Sequence, residues 1–187
     1  ITLGANPVLT GGYGTVGLNA ADRVLASGTG SFGTAGDLRL ETPLLTASQS
    51  AVHALTAGGT LALVRPAGPG APVVGGLGAR LNLQGSAVRL DSDIALPSGE
   101  LSVRATGGDV RIGTGGTASI NVAGTTRNFL ETARYTDGGI VTFTSDSGSV
   151  VLGSGGAVNV SAPAGGGRAG TLNVSAQAGS FDFQGSI

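Results

Sequence analysis

Residues 139–187 repeat one short pattern, in which a glycine-containing link precedes a triplet with apolar first and third residues. The first three triplets begin 9 and 8 residues apart, and two more, 9 apart, follow the link at 165–170. Alternating apolar residues form one face of a strand, and glycine-rich links form turns. The pattern therefore predicts three strands, a corner loop and three more strands, which is a solenoid. The triplets occupy positions 141–143, 150–152, 158–160, 172–174 and 181–183.

The same three-strand unit extends back through the chain and predicts a parallel β-helix of about seven turns across residues 1–187, as one domain. Val141, Val150, Val158, Leu172 and Phe181 are predicted to face the core. Thr142, Asn159, Asn173 and Asp182 are predicted to face out. Further up the chain, we align three columns of inward residues. The first contains Leu38, Leu61, Leu81 and Leu101, the second Val24, Leu44, Val73 and Val88, and the third Phe32, Val52, Leu77 and Ile94.

The composition fits this fold and excludes several functional classes. Glycine contributes 36 of 187 residues and charged residues 11%, while 40% hydrophobic residues exceed the content of a disordered linker. A net charge of −1 argues against a nucleic-acid partner, which needs a basic stripe. The absence of cysteine excludes disulfides and thiolate metal sites.

Three stretches exceed a minimal turn: 65–78, 162–170 and 123–138. The last two both leave after the third strand of a turn, so we expect them to stack along one edge of the rod. The surface excursion at 123–138 concentrates residue types that carry binding energy in interfaces. We expect it to be a contact surface, although its apolar residues could equally fold back onto the rod. It could form a short helical turn from Asn128 to Ala133 or an extended loop. The candidate contact residues are Arg127, Phe129, Glu131, Arg134 and Tyr135.

No group of residues predicts a catalytic, cofactor or metal site. His53 is the only histidine and lies in or beside a strand, so a structural role is expected. Asp91 and Asp93 lie two apart, as in half of an acidic site of a β-helical polysaccharide lyase or hydrolase, which needs further carboxylates. A turn with Asp and Ser side chains bonded to their own backbone is the simpler interpretation. The chain is therefore expected not to be an enzyme.

Several phrases, among them LRLETPLLTA, LNLQGSAVRLDSDIALPSGELSVRATGGDVRIGTGG and GGIVTFTSDSGSVVLGSGGAVNVSAPAGG, resemble large bacterial exoproteins of the filamentous-haemagglutinin type. The resemblance implies a right-handed parallel β-helix in the shaft of a secreted or cell-surface adhesin, exported through an outer-membrane transporter by two-partner secretion. It also implies roles in adhesion, aggregation or biofilm formation. The implied partners are host or bacterial surface glycans and proteins, or neighbouring copies of the chain. The family's secretion-signal motifs do not occur here, so the segment resembles interior shaft.

Two alternatives remain open at the level of sequence. The chain opens on Ile1-Thr2-Leu3 and closes on strand-like residues, without the polar cap that covers the ends of natural solenoids. We therefore expect either a longer native rod or a self-assembling extracellular filament whose subunits stack end to end. The other alternative is the β-helical polysaccharide lyase or hydrolase.

Overall fold

The computed structural model describes residues 1–67, 76–130 and 132–187, and it confirms the parallel β-helix. Three parallel sheets form the shaft. Sheet A contains β1 (Thr2–Leu3), β4 (Val24–Ala26), β7 (Leu44–Ala47), β12 (Asp93–Ala95), β15 (Ala118–Asn121) and β20 (Gly156–Asn159). Sheet B contains β2 (Pro7–Thr10), β5 (Thr29–Thr34), β8 (Val52–Ala57), β10 (Arg80–Gly85), β13 (Glu100–Ala105), β18 (Ile140–Ser145) and β21 (Thr171–Ala176). Sheet C contains β3 (Thr15–Asn19), β6 (Asp37–Glu41), β9 (Thr60–Val64), β11 (Ala87–Asp91), β14 (Val110–Ile112), β19 (Val150–Leu152) and β22 (Phe181–Phe183). The described residues include no helix of the length and hydropathy that a membrane span requires.

Each turn places its inward side chains directly over those of the previous turn, so the core consists of apolar ladders. In sheet B, Leu81 pairs with Leu101, which pairs with Val141. All three are completely or almost completely buried, as are Val150 and Val158. This confirms the predicted inward face from residue 141 to residue 158.

The last turn departs from that prediction. Phe181 is 45% exposed rather than buried, and Leu172 is only half-buried. Both lie on strands that have a neighbour on one side only, because β21 and β22 are the outermost strands of sheets B and C. The outward residues Asn159, Asn173 and Asp182 are exposed as predicted, while Thr142 is half-buried.

The predicted columns are wrong between residues 52 and 94, where they slip by one sheet. Leu61 pairs with Val88 in sheet C, whereas Leu81 pairs with His53 in sheet B. The slip arises because the turn that contains β10 and β11 has no described sheet A strand, so β7 pairs directly with β12. Regular spacing cannot reveal an omitted strand. Of the other column members, Leu77 lies in a turn, Val52 faces outward, and Val73 lies outside the described residues.

Buried hydroxyl groups join the two strands that meet where sheet A omits a strand. The hydroxyl of Thr46 donates to the carbonyl oxygen of Ala95 at 2.7 Å, and that of Ser92 donates to the carbonyl oxygen of Thr42 at 2.6 Å. Thr42, Thr46 and Ser92 all have 0% exposure. These bonds satisfy polar groups that would otherwise be costly to bury, and they lie beside the buried apolar pair of Leu45 and Ile94.

The corner between sheets A and B is built around left-handed residues. Gly28, Ser50, Gly78 and Ser98 have φ of 73°, 55°, 68° and 52°. Each stands one or two residues before a sheet B strand. In the next two turns the chain leaves the shaft at this same corner, at 122–139 and 160–170, as predicted for stacked excursions. The remaining long connection, 65–79, joins sheet C strand β9 to sheet B strand β10, and part of it lies outside the described residues.

The ladder packing predicts a sharp contrast within strand β13. Replacing Leu101, which has 0% exposure, by Ala should lower the free energy of unfolding by about 2–5 kcal/mol, because it leaves a cavity between two stacked residues. Ser102 is the matched control, since its side chain lies on the outer face; Ser102→Ala should change stability by less than about 0.5 kcal/mol. Urea titrations of both variants measure the difference, and equal losses would contradict the assignment of faces.

The left-handed corner predicts a stabilising substitution. A left-handed φ destabilises the folded state by about 1–2 kcal/mol at a residue that has a Cβ atom. Glycine avoids this strain, but its greater freedom in the unfolded chain lowers stability by about 0.4–1 kcal/mol. Ser50→Gly should therefore raise the free energy of unfolding by about 0.5 kcal/mol. Ser50→Ala keeps the strain and should bring no gain, so the order of the two thermal midpoints tests the prediction.

Candidate functional site

The excursion at 123–138 forms a β-hairpin that stands off the shaft. Strands β16 (Thr126–Phe129) and β17 (Thr132–Tyr135) pair in antiparallel register, with Arg127 opposite Arg134. The short helical turn considered from sequence is therefore wrong, because residues 128 and 133 pair across the hairpin. Leu130 at the tip has φ of 51° and is fully exposed. Of the predicted contact residues, Phe129 ends β16, and Glu131 lies outside the described residues.

The base of this hairpin is fixed to the shaft by hydrogen bonds of Thr136. Its backbone N–H donates to the carbonyl oxygen of Thr125 at 3.0 Å. Its hydroxyl lies 2.6 Å from the hydroxyl of Ser98 in the preceding turn, and it accepts from the N–H of Thr125 at 2.8 Å. The hairpin therefore projects from a defined position, which a flexible loop would not provide.

The loop of the following turn supports the hairpin from its other side. A side chain at Gly165 would lie 2.5 Å from ring carbons of Tyr135, and one at Gly166 would lie 2.9 Å from the same ring. Only glycine permits this approach, so the Tyr135 ring packs on the 162–170 loop and is still 41% exposed. The N–H of Arg168 donates to the carboxylate of Asp137 at 2.8 Å. The two predicted excursions thus form one continuous edge, which we call the hairpin edge (residues 123–130, 132–138 and 162–170).

The arginines divide into two groups. Seven of the ten lie within 4.0 Å of a carboxylate, and all seven belong to the shaft or its corners. In the most extensive pair, Arg104 donates from Nε and Nη2 to the Asp146 carboxylate of the next turn, and this hydrogen bonding, with the charge of Asp146, raises the pKa of Arg104. Arg127, Arg134 and Arg168 have no such partner among the described residues, and all three lie on the hairpin edge.

Carboxylates on the shaft connect one turn to the next, a role that the sequence analysis missed. Asp37 accepts the backbone N–H of Thr60 at 2.7 Å, and Asp109 accepts that of Ser149 at 2.8 Å. Each acceptor stands one residue before the first inward residue of a sheet C strand, and its donor has the equivalent place one turn later. The signal in the sequence is an Asp directly before an apolar-x-apolar triplet, as in DLRL and DVRI.

Asp91 and Asp93 also accept hydrogen bonds from the following turn, which bears on the alternative of a catalytic site. Asp91 ends a sheet C strand, pairs with Arg89 and accepts the N–H of Gly115 at 3.0 Å. Asp93 begins a sheet A strand, pairs with Arg65 and accepts an N–H of the next turn at 3.0 Å. The two carboxylates thus bond to the following turn, where self-bonding had been expected. Among residues 1–67, 76–130 and 132–187, no group of three or more His, Asp or Glu side chains is placed to hold a metal ion.

His53 faces the core of sheet B and is 1% exposed. Its Nε2 lies 3.0 Å from the carbonyl oxygen of Ser27. That nitrogen must carry the proton, since a carbonyl oxygen only accepts. Nδ1 is buried without a partner in the described part of the chain. The residue completes the ladder between Gly30 and Leu81, which is the structural role expected from sequence.

Comparison with known proteins finds no matching family model, no matching curated protein and no matching solved structure. The described residues separate a shaft with internally paired charges from an edge that carries exposed arginine, tyrosine and leucine side chains.

The bonds between turns predict a pH-dependent contribution to stability. The N–H of Ser149, followed by the guanidinium of Arg111, holds the pKa of Asp109 below its usual value. Because the folded-state pKa is the lower one, the stabilisation is present above the unfolded pKa of about 4 and is lost as pH falls through the folded pKa. Asp109→Ala should lower the free energy of unfolding by about 1–2 kcal/mol at pH 7.

Urea titrations at several pH values test this expectation. The gap between Asp109→Ala and the parent chain should narrow below about pH 4, where the carboxylate becomes protonated. Asp22 is the matched control, because its side chain pairs with the neighbouring Arg23 and bonds to no other turn in the described part of the chain. Asp22→Ala should change stability by less than about 0.5 kcal/mol. A pH-independent gap for Asp109→Ala would argue against the charged hydrogen bond.

Proposed function

We propose that this chain is a structural and adhesive shaft segment of a bacterial exoprotein of the filamentous-haemagglutinin type, displayed at the cell surface or secreted. In this proposal the solenoid holds a contact edge away from the cell, and the hairpin edge binds surface glycans or proteins of host or bacterial cells. Export would use an outer-membrane transporter, as in the family that the sequence resembles. The proposal assigns no catalysis to the chain.

The observation that carries the proposal is the distribution of arginines. On the shaft, seven arginine side chains are paired with carboxylates, so their binding capacity is largely used within the rod. On the hairpin edge, Arg127 and Arg134 are exposed, and the ring of Tyr135 is half-exposed on the opposite face of the hairpin. Arginine and tyrosine are the side chains most enriched at binding hot spots, which supports this edge as the contact surface.

The geometry of the shaft supports the structural part of the proposal. Its strands join successive turns through backbone ladders, and its corner carboxylates add bonds in the same direction, as between Asp37 and Thr60. An adhesive stalk needs resistance to bending more than it needs a concave pocket. The excursions at 122–139 and 160–170 leave at one corner and interrupt neither sheet B nor sheet C.

Deletion of residues 125–136 tests the proposal. The ends of the deleted segment are close, because Thr136 and Asp137 backbone atoms crowd the position that a Gly124 side chain would occupy. We expect the shaft to keep its β-type circular dichroism and its thermal midpoint within a few degrees. Binding of the labelled chain to mammalian epithelial cells or to bacterial cells should be lost.

An outer-face variant of the shaft, Asn82→Ala with Asn173→Ala, serves as the control and should bind like the parent chain. Undiminished binding by the deletion variant would refute the contact role of the hairpin. A parent chain that binds neither cell type would refute the adhesive function itself.

A further inference from the structure

We propose that the open edge of strand β16 binds an extended, acidic polypeptide segment as a third strand of the hairpin sheet. The inference rests on the proposed contact role of the hairpin edge, and it adds the chemical class of the ligand and the way it is held. It is drawn from the register of the hairpin, the accessibility of β16 and the charges on one face.

The register identifies which backbone groups point away from the hairpin. Thr125 and Thr136 form a hydrogen-bonded pair, with the Thr136 N–H donating to Thr125 at 3.0 Å. Hydrogen-bonded and non-bonded pairs alternate along an antiparallel ladder, so Arg127 and Arg134 are also a bonded pair. The N–H and C=O groups of Thr126 and Asn128 consequently point to the outer edge of β16.

That outer edge has no strand neighbour in the described residues, where the hairpin sheet contains β16 and β17 alone. Thr126, Arg127 and Asn128 are all exposed. Strand β17 is less accessible, since Ala133 is half-buried and Tyr135 packs on the following loop. Unpaired strand edges are templates for another strand, and strand addition supplies affinity through main-chain hydrogen bonds.

The two arginines in the described strands of the hairpin favour an acidic ligand. Arg127 and Arg134 lie directly opposite each other, and like charges in this arrangement destabilise a sheet. Alternation places both on the face opposite Tyr135. A ligand strand beside β16 would put every second side chain on that face, next to Arg127. A carboxylate there would relieve the repulsion and form the bidentate pair that guanidinium groups favour.

The tip of the hairpin agrees with a binding role. Leu130 combines left-handed φ with full exposure, an arrangement that costs free energy and buries nothing in the chain itself. It stands at the end of the β16 edge, where an apolar residue of an added strand would meet it. The proposed ligand therefore alternates carboxylates with apolar residues.

The test uses the whole chain and a labelled, end-blocked peptide of sequence Glu-Val-Glu-Val-Glu, with fluorescence anisotropy as the readout. The parent chain should bind this peptide and should bind the Gln-Val-Gln-Val-Gln peptide about tenfold more weakly. Binding should also weaken with added salt, because exposed ion pairs are screened. Equal binding of the two peptides would overturn the acidic specificity.

Two variants separate the backbone contribution from the charge contribution. Asn128→Pro removes an N–H that points to the open edge, which an edge strand tolerates, and it should abolish peptide binding. Asn128→Ala is its matched control and should bind like the parent chain. Arg127→Gln with Arg134→Gln should weaken binding about tenfold. Unchanged thermal midpoints confirm that the shaft of each variant is intact.

The remaining outcomes each have a clear meaning. If Asn128→Pro binds the peptide as well as Asn128→Ala does, strand addition is overturned. If polygalacturonate binds and the peptide does not, the edge recognises an acidic glycan and the polypeptide ligand is overturned. If neither binds while residues 125–136 remain necessary for cell binding, this inference fails and the proposed adhesive function stands.

Discussion

The stacking of turns in parallel register is the constraint on which the rest of this structure depends. Strands inside the stack satisfy their backbone groups with the turns above and below them, and most of their inward side chains lie over apolar ones. The strands meet this condition through their ladders. The corners meet it with side chains, as where Asp37 accepts the N–H of Thr60 one turn later. In a chain with only 11% charged residues, many of the acidic side chains thus bond one turn to the next.

The fold could be predicted from sequence because each inward ladder position belongs to a local triplet of alternating apolar residues. This alternation can be recognised without knowing which distant residues pair. Val141 and Val150 were placed correctly on this basis alone. The pairing of strands between residues 52 and 94 could not be predicted in the same way. It depends on which turn omits a strand. In strand β8, moreover, the inward position that pairs with Leu81 is occupied by His53, and a polar residue gives no apolar-x-apolar pattern.

The hairpin edge was predicted in position but not in conformation. Composition was sufficient to locate it, since Arg127, Arg134 and Tyr135 stand out in a chain of small residues. The hairpin itself has no Asn-Gly or Asp-Gly signal at its turn, and Leu130 has the left-handed conformation instead. The support of Tyr135 by Gly165 is a contact between consecutive turns. A long-range approach of that kind follows only from the three-dimensional stacking.

The corner between sheets A and B explains how such an edge is compatible with a stable rod. An insertion within a strand would shift the register of all later ladders, whereas an insertion at a corner leaves the register unchanged on both sides. β13 and β18 accordingly remain paired along their full length although the hairpin lies between them in the chain. The hairpin's free energy is therefore largely separate from that of the shaft. A facing pair such as Arg127 and Arg134, which would weaken a sheet in the core of the rod, can be kept here at little cost to the fold.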